Sequence, residues 1–419
     1  MKLLTDNLVE NNLIYEPANS GSDTFVNFPT DINHKFLSEV EYIIVHYKYL
    51  ETWTTESDIF KHFKPEIVEK LKNQRCILFI DVSLEGWSPK NSPISISLHQ
   101  SCRKNGIDPR KIYYLTGNHR ESTCYSVYLY SNFPNQTDNI NICQNIFISE
   151  LSRYPGGKIT YEKHKVLTET LHNNKLFLQL SRRNRSFRVM ANHQLYLNEL
   201  VHYANVSQDK LTEYEQQDML HEYYKSPFVE KVFHLDEIKK WNDNCLPYIV
   251  DYPDFNTNWA AENYTLKYHE TLFSIVLETN ADTVGDTSMF LSEKTFKAIS
   301  NRHPLIIFGH KGSNHFLRDL GLMTYEKYFD IQKFDNINDN FLRYKTILEQ
   351  VKALCQQLVN QSLKERINWK FKHQEILDHN YEQIFESVHS KEVSRKLHMT
   401  IKSYFESNFH SEFNVSPNL

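Results

Sequence analysis

The segment from Phe273 to Gly309 constrains the fold of this chain more than any other part of its sequence. An apolar run from Phe273 to Leu277 has the length and composition of a buried strand, and a second run, Pro304 to Gly309, ends in glycine. Between the two runs, Ser292 is a good N-cap for a helix that begins with Glu293. A strand, a helix and a second strand in this order predict a βαβ unit of a parallel sheet.

The start of this predicted helix carries two lysines where a cation is disfavoured. Lys294 and Lys297 lie three residues apart, on one face and beside free backbone N–H groups. Placing a cation there costs roughly 0.3–1 kcal/mol, because the helix N-terminus is already partly positive. A helix start that combines N–H donors, hydroxyl groups and lysines is well suited to hold a phosphate or diphosphate. A solvated helix end with unrelated lysines is the alternative interpretation.

Two polar residues directly follow the first strand of the segment. Glu278 and Asn280 would lie at the carboxyl edge of the sheet, where α/β proteins bind their ligands. We interpret them as candidates for contacts with hydroxyl groups of a sugar or a ribose. The alternative is structural: Asn280 would cap a turn, and Glu278 would pair with a nearby arginine.

The order and spacing of these residues resemble a known signature. The matching positions are Glu278, Asn280, Glu293, Lys294, Phe296, Lys297, Ala298, Ile299, Pro304 and Gly309. The segment is similar to the donor-binding signature of α1,3-fucosyltransferase-like glycosyltransferases and of bacterial and viral enzymes with the same GT-B C-terminal half. The resemblance covers roughly residues 170 to 335. It implies that Glu293 binds the ribose of a nucleotide-sugar donor and that Lys294 binds the diphosphate.

A second basic cluster follows the predicted strand that runs from Lys175 to Leu180. Its members are Arg182, Arg183, Arg185 and Arg188. Guanidinium groups give forked, charge-assisted hydrogen bonds that suit a diphosphate. A solvated basic loop or a nucleic-acid patch is the alternative for this cluster alone. Together with Lys294 and Lys297 at another strand end of the same predicted sheet, the diphosphate interpretation is favoured.

Composition limits the classes of protein that remain. With 419 residues the chain is long enough for two domains, and its net charge of −5 gives no bulk attraction to nucleic acid. There are only 10 glycines and no GxGxxG or GxxxxGK[ST] motif, so nucleotide binding would rely on side chains and helix ends. The six cysteines form no CxxC pair, and no apolar run reaches the length of a signal peptide or a membrane span. These features predict a cytoplasmic protein, in a bacterium or a virus-infected host cell.

The apolar runs and breakers divide the chain into four predicted parts. Residues 1–150 form an N-terminal, acceptor-side Rossmann-like domain, and residues 151–172, around Pro155-Gly156-Gly157, form a linker. Residues 173–340 form a C-terminal nucleotide-sugar-binding Rossmann-like domain, and residues 341–419 form helices that pack on the domains. In the first part we predict a helix from Ser92 to about Asn105, stopped by Gly106. The predicted strands there are Glu41 to Leu50, Cys76 to Asp81, Lys111 to Leu115 and Asn145 to Ile148.

Transfer of a sugar to a hydroxyl group needs a base that takes the hydroxyl proton. The candidates at predicted strand ends are Asp81, Glu85 and His119. We prefer Glu85, because the neighbouring Trp87 could stack on a sugar, and place His119 second; a structural role is the alternative for each. The sequence contains no DxD triplet, no HExxH motif and no Cys/His zinc spacing, so we expect neither a metal nor another cofactor.

These observations predict an α/β protein of GT-B-like architecture, with two Rossmann-like domains facing across a cleft and a helical C-terminal segment. The predicted function is metal-independent transfer of a sugar from a nucleotide-diphosphate sugar to a hydroxyl acceptor on a carbohydrate, glycan, protein or modified base. The resemblance further implies inversion at the sugar carbon. Arg182, Arg183 or Arg185 together with Lys294 and Lys297 would neutralise the leaving diphosphate. A non-catalytic nucleic-acid-binding module and a degenerate transferase scaffold are the alternatives.

Overall fold

The apolar runs of each half of the chain form a parallel sheet in the computed structural model of the protein. The structure describes residues 2–3, 41–46, 58–73, 76–82, 94–134, 138–143, 161–170, 175–181, 184–248, 250, 265–279, 281 and 289–385. These residues fall into two compact units: one extends to residue 143 and includes Met289, and the other comprises residues 161–281 and 290–385. None of the helices in these ranges has the length and apolar character needed to cross a membrane.

Five parallel strands form the sheet of the first unit, in the order β1-β2-β3-β4-β5. The strands are β1 (Lys2–Leu3), β2 (Glu41–His46), β3 (Cys76–Val82), β4 (Ile112–Thr116) and β5 (Asn141–Cys143). The predicted strands Cys76 to Asp81 and Lys111 to Leu115 therefore exist with shifts of one residue at their ends. The predicted strand from Glu41 is described as far as His46, and the predicted strand from Asn145 to Ile148 lies outside the described residues. Each strand pairs with its predecessor in sequence, so the strand order does not reverse among the described strands of this sheet.

Three described helices accompany the sheet of the first unit, and its central strand β3 is buried. The helices are α1 (Pro65–Asn73), α2 (Ile94–Asn105) and α3 (Glu121–Asn132), with 3₁₀ turns at Ile59–His62 and Pro109–Lys111. Consecutive residues of β3 from Cys76 to Ile80 are all buried, which is typical of a parallel strand covered on both faces. Helix α2 ends where the sequence predicted, and Gly106 follows it with φ +66°, a conformation that favours glycine. The predicted cap of α2, Ser92-Pro93, lies outside the described residues.

The sheet of the second unit has the order β7-β6-β8-β9. Its strands are β6 (Phe177–Leu180), β7 (Ala204–Ser207), β8 (Phe273–Leu277) and β9 (Leu305–Phe308). All the pairings are parallel. The chain adds β7 on one side of β6 and then crosses to add β8 on the other side. Such a reversal of strand order opens a crevice at the carboxyl ends of the two strands, here β6 and β8.

Ten helices are described in the second unit, over residues 161–385. They are α4 (Tyr161–Thr170), α5 (Ser186–Leu197), α6 (Glu213–Tyr224), α7 (Leu235–Cys245), α8 (Thr265–His269), α9 (Glu293–Ser300), α10 (Ser313–Phe316), α11 (Asn340–Val359), α12 (Leu363–Lys370) and α13 (Gln374–Phe385). Short 3₁₀ turns occur at Leu200–Tyr203, Leu317–Leu320 and Ile331–Lys333. Helices α11 and α12 contact the sheet through Tyr344 on Phe308, with ring centroids 4.8 Å apart, and Trp369 on Phe273, at 5.8 Å. The C-terminal helices described here are therefore part of the second unit.

Buried histidines make the stability of the second unit sensitive to acid. The ring of His193 on α5 lies 4.9 Å from the ring of Trp241, and its Nδ1 lies 2.8 Å from the hydroxyl oxygen of Tyr223. Burial in this aromatic environment lowers the pKa of His193 to about 4. The unfolded chain takes up a proton near pH 6.5, whereas the folded state resists it. Stability is therefore lost as the pH falls from about 6.5 toward 4, by up to about 1.4 kcal/mol per pH unit for this group.

We expect His193→Gln to weaken this pH dependence. Thermal unfolding followed between pH 7.5 and pH 4.5 should show a smaller fall in melting temperature for the variant than for the wild type. The exposed His202, replaced in the same way, is the matched control and should leave the pH profile unchanged. Equal profiles for His193→Gln and the wild type would exclude His193 as a contributor.

Candidate functional site

Two helices begin at the carboxyl ends of the strands that flank the reversal of strand order. Helix α5 follows β6, and α9 follows β8. The N-cap position of α5 is occupied by Arg185, whose side chain makes no capping hydrogen bond, and the first turn of α5 has no acidic residue. The N-terminus of α5 thus combines the N–H groups of a helix start with a cationic residue, which makes it suited to an anion.

Arg185 joins the segment that follows β6 to the segment that follows β8; we call these two segments the arms of this edge. Its Nη1 donates a hydrogen bond to the backbone carbonyl of Thr279, at 2.7 Å, from the arm after β6 to the arm after β8. The neighbouring Arg188 is almost completely buried, and its Nε donates to the carbonyl of Glu278, also at 2.7 Å. Arg188 therefore stabilises the end of β8. Arg185, in contrast, is half-exposed at the edge of the sheet. The other two predicted arginines, Arg182 and Arg183, lie outside the described residues.

Glu278 has a structural role that corrects the predicted contact with the donor. Its side chain is completely buried, and its carboxylate accepts hydrogen bonds from the backbone N–H groups of Ser292, at 3.0 Å to each oxygen, and of Thr279, at 3.1 Å. The hydroxyl group of Thr295 donates to the same carboxylate. These bonds occupy the lone pairs that a ligand hydroxyl would need. Glu278 instead fixes the start of α9 against the end of β8.

The start of α9 is built as the sequence predicted. Ser292 is the N-cap, and its hydroxyl oxygen accepts from the backbone N–H of Lys294 at 3.4 Å. The Lys294 ammonium group lies 3.4 Å from the same hydroxyl oxygen, and both Lys294 and Lys297 are half-buried. Glu293 is the first residue of the helix, but its side chain is outside the description, as is all of Asn280. Arg185, Glu278, Ser292 and Lys294 thus form one connected cluster.

Gly309 packs against Glu278 of this cluster, and Arg343 bonds to Gly309. A Cβ atom added at Gly309 would lie 2.9 Å from the Cβ of Glu278, so only glycine fits there without displacing β8 or β9. The carbonyl of Gly309 accepts a 2.7 Å hydrogen bond from Nη2 of Arg343, a buried residue of α11. Burial lowers the pKa of Arg343 to about 10, so the group is charged at neutral pH. We did not predict Arg343; the available signal was its position one turn before Ile347 on the apolar face of α11.

Of the two preferred candidates for the catalytic base, His119 is described and Glu85 lies outside the described residues. His119 lies in the loop between β4 and α3, and its backbone N–H donates to the carbonyl of Met289 at 2.8 Å. Burial lowers the pKa of His119 to about 3. A general base is most effective when its pKa is near the working pH, and a lowered pKa is unfavourable for that role. The catalytic role of His119 stays a prediction, second to that of Glu85.

A buried carboxylate in the first unit repeats the arrangement around Glu278. Glu121 at the start of α3 is completely buried, and its Oε1 accepts from the backbone N–H of Ser95 at 3.0 Å and from the Ser95 hydroxyl at 2.6 Å. Asn118 donates to its other oxygen at 3.2 Å. Burial raises the pKa of Glu121. In both units a glutamate near the carboxyl end of a strand holds the first turn of a neighbouring helix.

Within the described ranges, no cluster of three or more His, Cys, Asp and Glu side chains could hold a metal ion. Charge at the cluster around Arg185 and Lys294 therefore comes, among the described residues, from side chains and helix N-termini. Metal independence stays a prediction, because it concerns the reaction.

Comparison with known proteins adds little to this geometry. No protein-family model matches the chain, and no curated protein matches it in sequence. Among solved structures, the chain is similar to trehalose-6-phosphate synthase OtsA, with a TM-score of 0.42 and 12% sequence identity, over 87% of this chain and 72% of that chain. Two parallel sheets with their helices confirm the predicted α/β class. The placement of the two units across a cleft stays a prediction.

Proposed function

We propose that this protein is a glycosyltransferase that binds a nucleotide-diphosphate sugar at the carboxyl edge of the second sheet. The observation that carries the proposal is the bond from Arg185 to the carbonyl of Thr279, which joins the start of α5 to the arm after β8 at the reversal of strand order. Ligands of open α/β sheets bind at such a position. The signature that begins at Glu278 supports a nucleotide sugar as the ligand; the sugar, the nucleotide and the acceptor are left open.

The proposed chemistry is a displacement at the sugar carbon. The oxygen of the acceptor hydroxyl forms a bond to that carbon, and the bond from the carbon to the diphosphate oxygen breaks with its electron pair. The hydroxyl proton passes to a base, for which Glu85 is preferred over His119. Lys294, Lys297 and Arg185 would stabilise the charge that develops on the leaving diphosphate, in the place of a metal ion. Glu293 would bind the ribose, as the resemblance implies.

Glu278 has an indirect role in this proposal. Its carboxylate holds the N-terminal turn of α9 and therefore the position from which Lys294 reaches the ligand. Half of the proposed diphosphate site is thus fixed by a buried group that does not itself touch the donor. The other half depends on the arm that carries Arg185.

A nucleotide panel tests the proposal. Thermal unfolding is measured with GDP, UDP, ADP and CMP, and we expect one nucleoside diphosphate to raise the melting temperature. A ligand at about 100 times its Kd stabilises by about 2.7 kcal/mol, which corresponds to a shift of several degrees. The absence of a shift with every nucleotide would contradict the proposal. Salt-dependent binding of DNA without any nucleotide effect would instead support the nucleic-acid alternative.

The variant Lys294→Ala tests whether the ligand binds at the start of α9. We expect the variant to lose at least about tenfold in nucleotide affinity, the effect of a hydrogen bond to a charged group. Its own stability should not fall, because a cation is removed from the positive end of a helix. Lys352→Ala, at an exposed position of α11, is the matched control. Unchanged nucleotide affinity in Lys294→Ala would remove this residue from the site.

A further inference from the structure

A chain of side-chain hydrogen bonds crosses the core of the second unit. The hydroxyl of Tyr344 on α11 donates to Oε1 of Gln179 on β6 at 2.7 Å. Nε2 of Gln179 donates to Oδ1 of Asn192 on α5, and Nδ2 of Asn192 donates to Oε1 of Gln208, each at 2.5 Å. All four side chains are completely buried. Buried polar groups of this kind are costly unless they are satisfied, and here each amide has both a donor and an acceptor partner.

The chain continues to the surface through the loop after β6. Nε2 of Gln208 donates to Oδ1 of Asn184. Nδ2 of Asn184 donates in turn to the Glu215 carboxylate at 3.1 Å and to the carbonyl of Lys210 at 2.9 Å. Glu215 belongs to the capping box of α6, where it also accepts from Thr212. We call Gln179, Asn192, Gln208 and Asn184 the amide chain.

Every member of the amide chain points in the same direction. Each oxygen faces Tyr344, and each nitrogen faces Glu215. The Tyr344 end is a hydroxyl, which donates to Gln179 in this arrangement but as a group can also accept. The Glu215 end is a carboxylate, which only accepts. If one amide reversed, its neighbours would have to reverse as well, and the oxygen of Asn184 would then face the Glu215 carboxylate. The acceptors at the Glu215 end therefore fix the orientation of all four amides.

The last amide is adjacent to the proposed diphosphate site. Asn184 directly precedes Arg185, which occupies the N-cap position of α5 and bonds to the carbonyl of Thr279. Asn192 lies two turns further along the same helix. The amide chain thus holds α5 at two points, one in its core and one at the residue before its cap. The described hydrogen-bond partners of the Asn184 side chain lie in the loop that follows β7 and on α6.

We infer that the amide chain positions the arm after β6, so that Arg185 and the N-terminus of α5 are held in the geometry that binds the diphosphate. Gln208 and Asn192 are then positioning residues, which act on the ligand through Arg185. The identity of the ligand as a diphosphate rests on the proposed function. The inference that the amide chain positions Arg185 does not depend on it. A chain that only stabilised the core would lower stability when broken but leave the arm unchanged.

Gln208→Met tests the inference. Methionine has a similar length but neither donates nor accepts as the amide does, so it interrupts the amide chain in its middle. We expect faster hydrogen exchange in the peptide that carries Arg185 and unchanged exchange in β8 and β9. Nucleotide affinity should fall about tenfold although Arg185 and Lys294 are intact. Gln216→Met is the matched control: Gln216 is also buried, but it donates only to the carbonyl of Leu211 and lies outside the amide chain.

Asn184→Ala provides a second variant that does not disturb the core, since Asn184 is half-buried. It should reproduce the exchange and affinity changes of Gln208→Met, and the double variant should add little to either, because both break the same chain. Faster exchange around Arg185 in both variants, with weaker nucleotide binding, supports the inference. Unchanged exchange around Arg185, or faster exchange with full affinity, overturns it. If the wild type binds no nucleotide, the proposed function fails, and the exchange data still decide whether the chain holds the arm.

Discussion

Glu278→Gln is expected to destabilise the second unit by about 2–4 kcal/mol. The carboxylate accepts from the backbone N–H of Ser292 with both oxygens and from Thr279 and Thr295. An amide of the same shape has one oxygen and one NH₂ group. With the NH₂ group at the position of Oε2, the Thr279 N–H loses this acceptor. With the NH₂ group at the position of Oε1, it faces the Ser292 N–H and the Thr295 hydroxyl would have to accept rather than donate, so either orientation weakens the bonds at the start of α9. A buried polar group without a partner costs about 1–3 kcal/mol, and the lost bonds are to a charged group.

Chemical denaturation followed by circular dichroism measures this change. Hydrogen exchange of the α9 peptide shows whether the loss of stability lies in the second unit, because the first turn of α9 should lose protection first. Glu349→Gln, at an exposed position of α11, is the control and should stay within about 0.5 kcal/mol of the wild type. If Glu278→Gln were as stable as that control, the carboxylate would not be what holds α9. We also expect the variant to bind nucleotide more weakly, since Lys294 moves with the turn.

Gly309→Ala is expected to destabilise the protein by about 1–3 kcal/mol or to prevent folding of the second unit. The added methyl group would lie 2.9 Å from the Cβ of Glu278 and 3.1 Å from its Cγ. A Cβ atom cannot rotate away as the end of a long side chain can. β8 and β9 are paired in register beside this point, with Leu277 opposite Phe308, so the strands would have to separate. The carbonyl of Gly309 would then also lose its bond to Arg343.

Gly106→Ala separates this steric effect from the general cost of replacing glycine. Gly106 has φ +66° and nothing within 4 Å of an added Cβ, so its replacement costs only backbone strain, roughly 1–2 kcal/mol. Its effect should appear in the first unit, at the end of α2. Gly309→Ser should be at least as damaging as Gly309→Ala, because the hydroxyl adds volume at the same place. A Gly309→Ala protein with wild-type stability and wild-type exchange in β8 and β9 would contradict the close approach of Glu278.

Local sequence patterns were sufficient for the elements that carry the site. β8 was predicted from an apolar run and has the predicted bounds, and α9 begins after Ser292 because a serine cap is a local signal. The C-terminus of α2 was likewise given by Gly106. The order β7-β6-β8-β9 could not be predicted in the same way, because the side on which β7 pairs depends on contacts between residues distant in the chain.

The roles of single polar residues were harder to predict than the elements. A glutamate after a strand looks the same in sequence whether it faces a ligand or caps a buried helix, and for Glu278 the difference lies in Thr295, 17 residues further on. His119 was a reasonable base by position, and its lowered pKa depends on tertiary packing that no local pattern contains. The amide chain has no sequence signature at all, since Gln179 and Asn192 are joined only when α5 packs on the sheet.

The bond between Arg185 and Thr279 has a consequence for when the ligand-binding edge of the second sheet is completed during synthesis. It joins residues 94 positions apart, so the loop between them must close before the two arms meet. A nascent chain that has produced β6, β7 and α5 but not β8 has a basic arm without its counterpart. Under the proposed function, nucleotide would therefore stabilise only the completed unit and would favour it over partly synthesised forms.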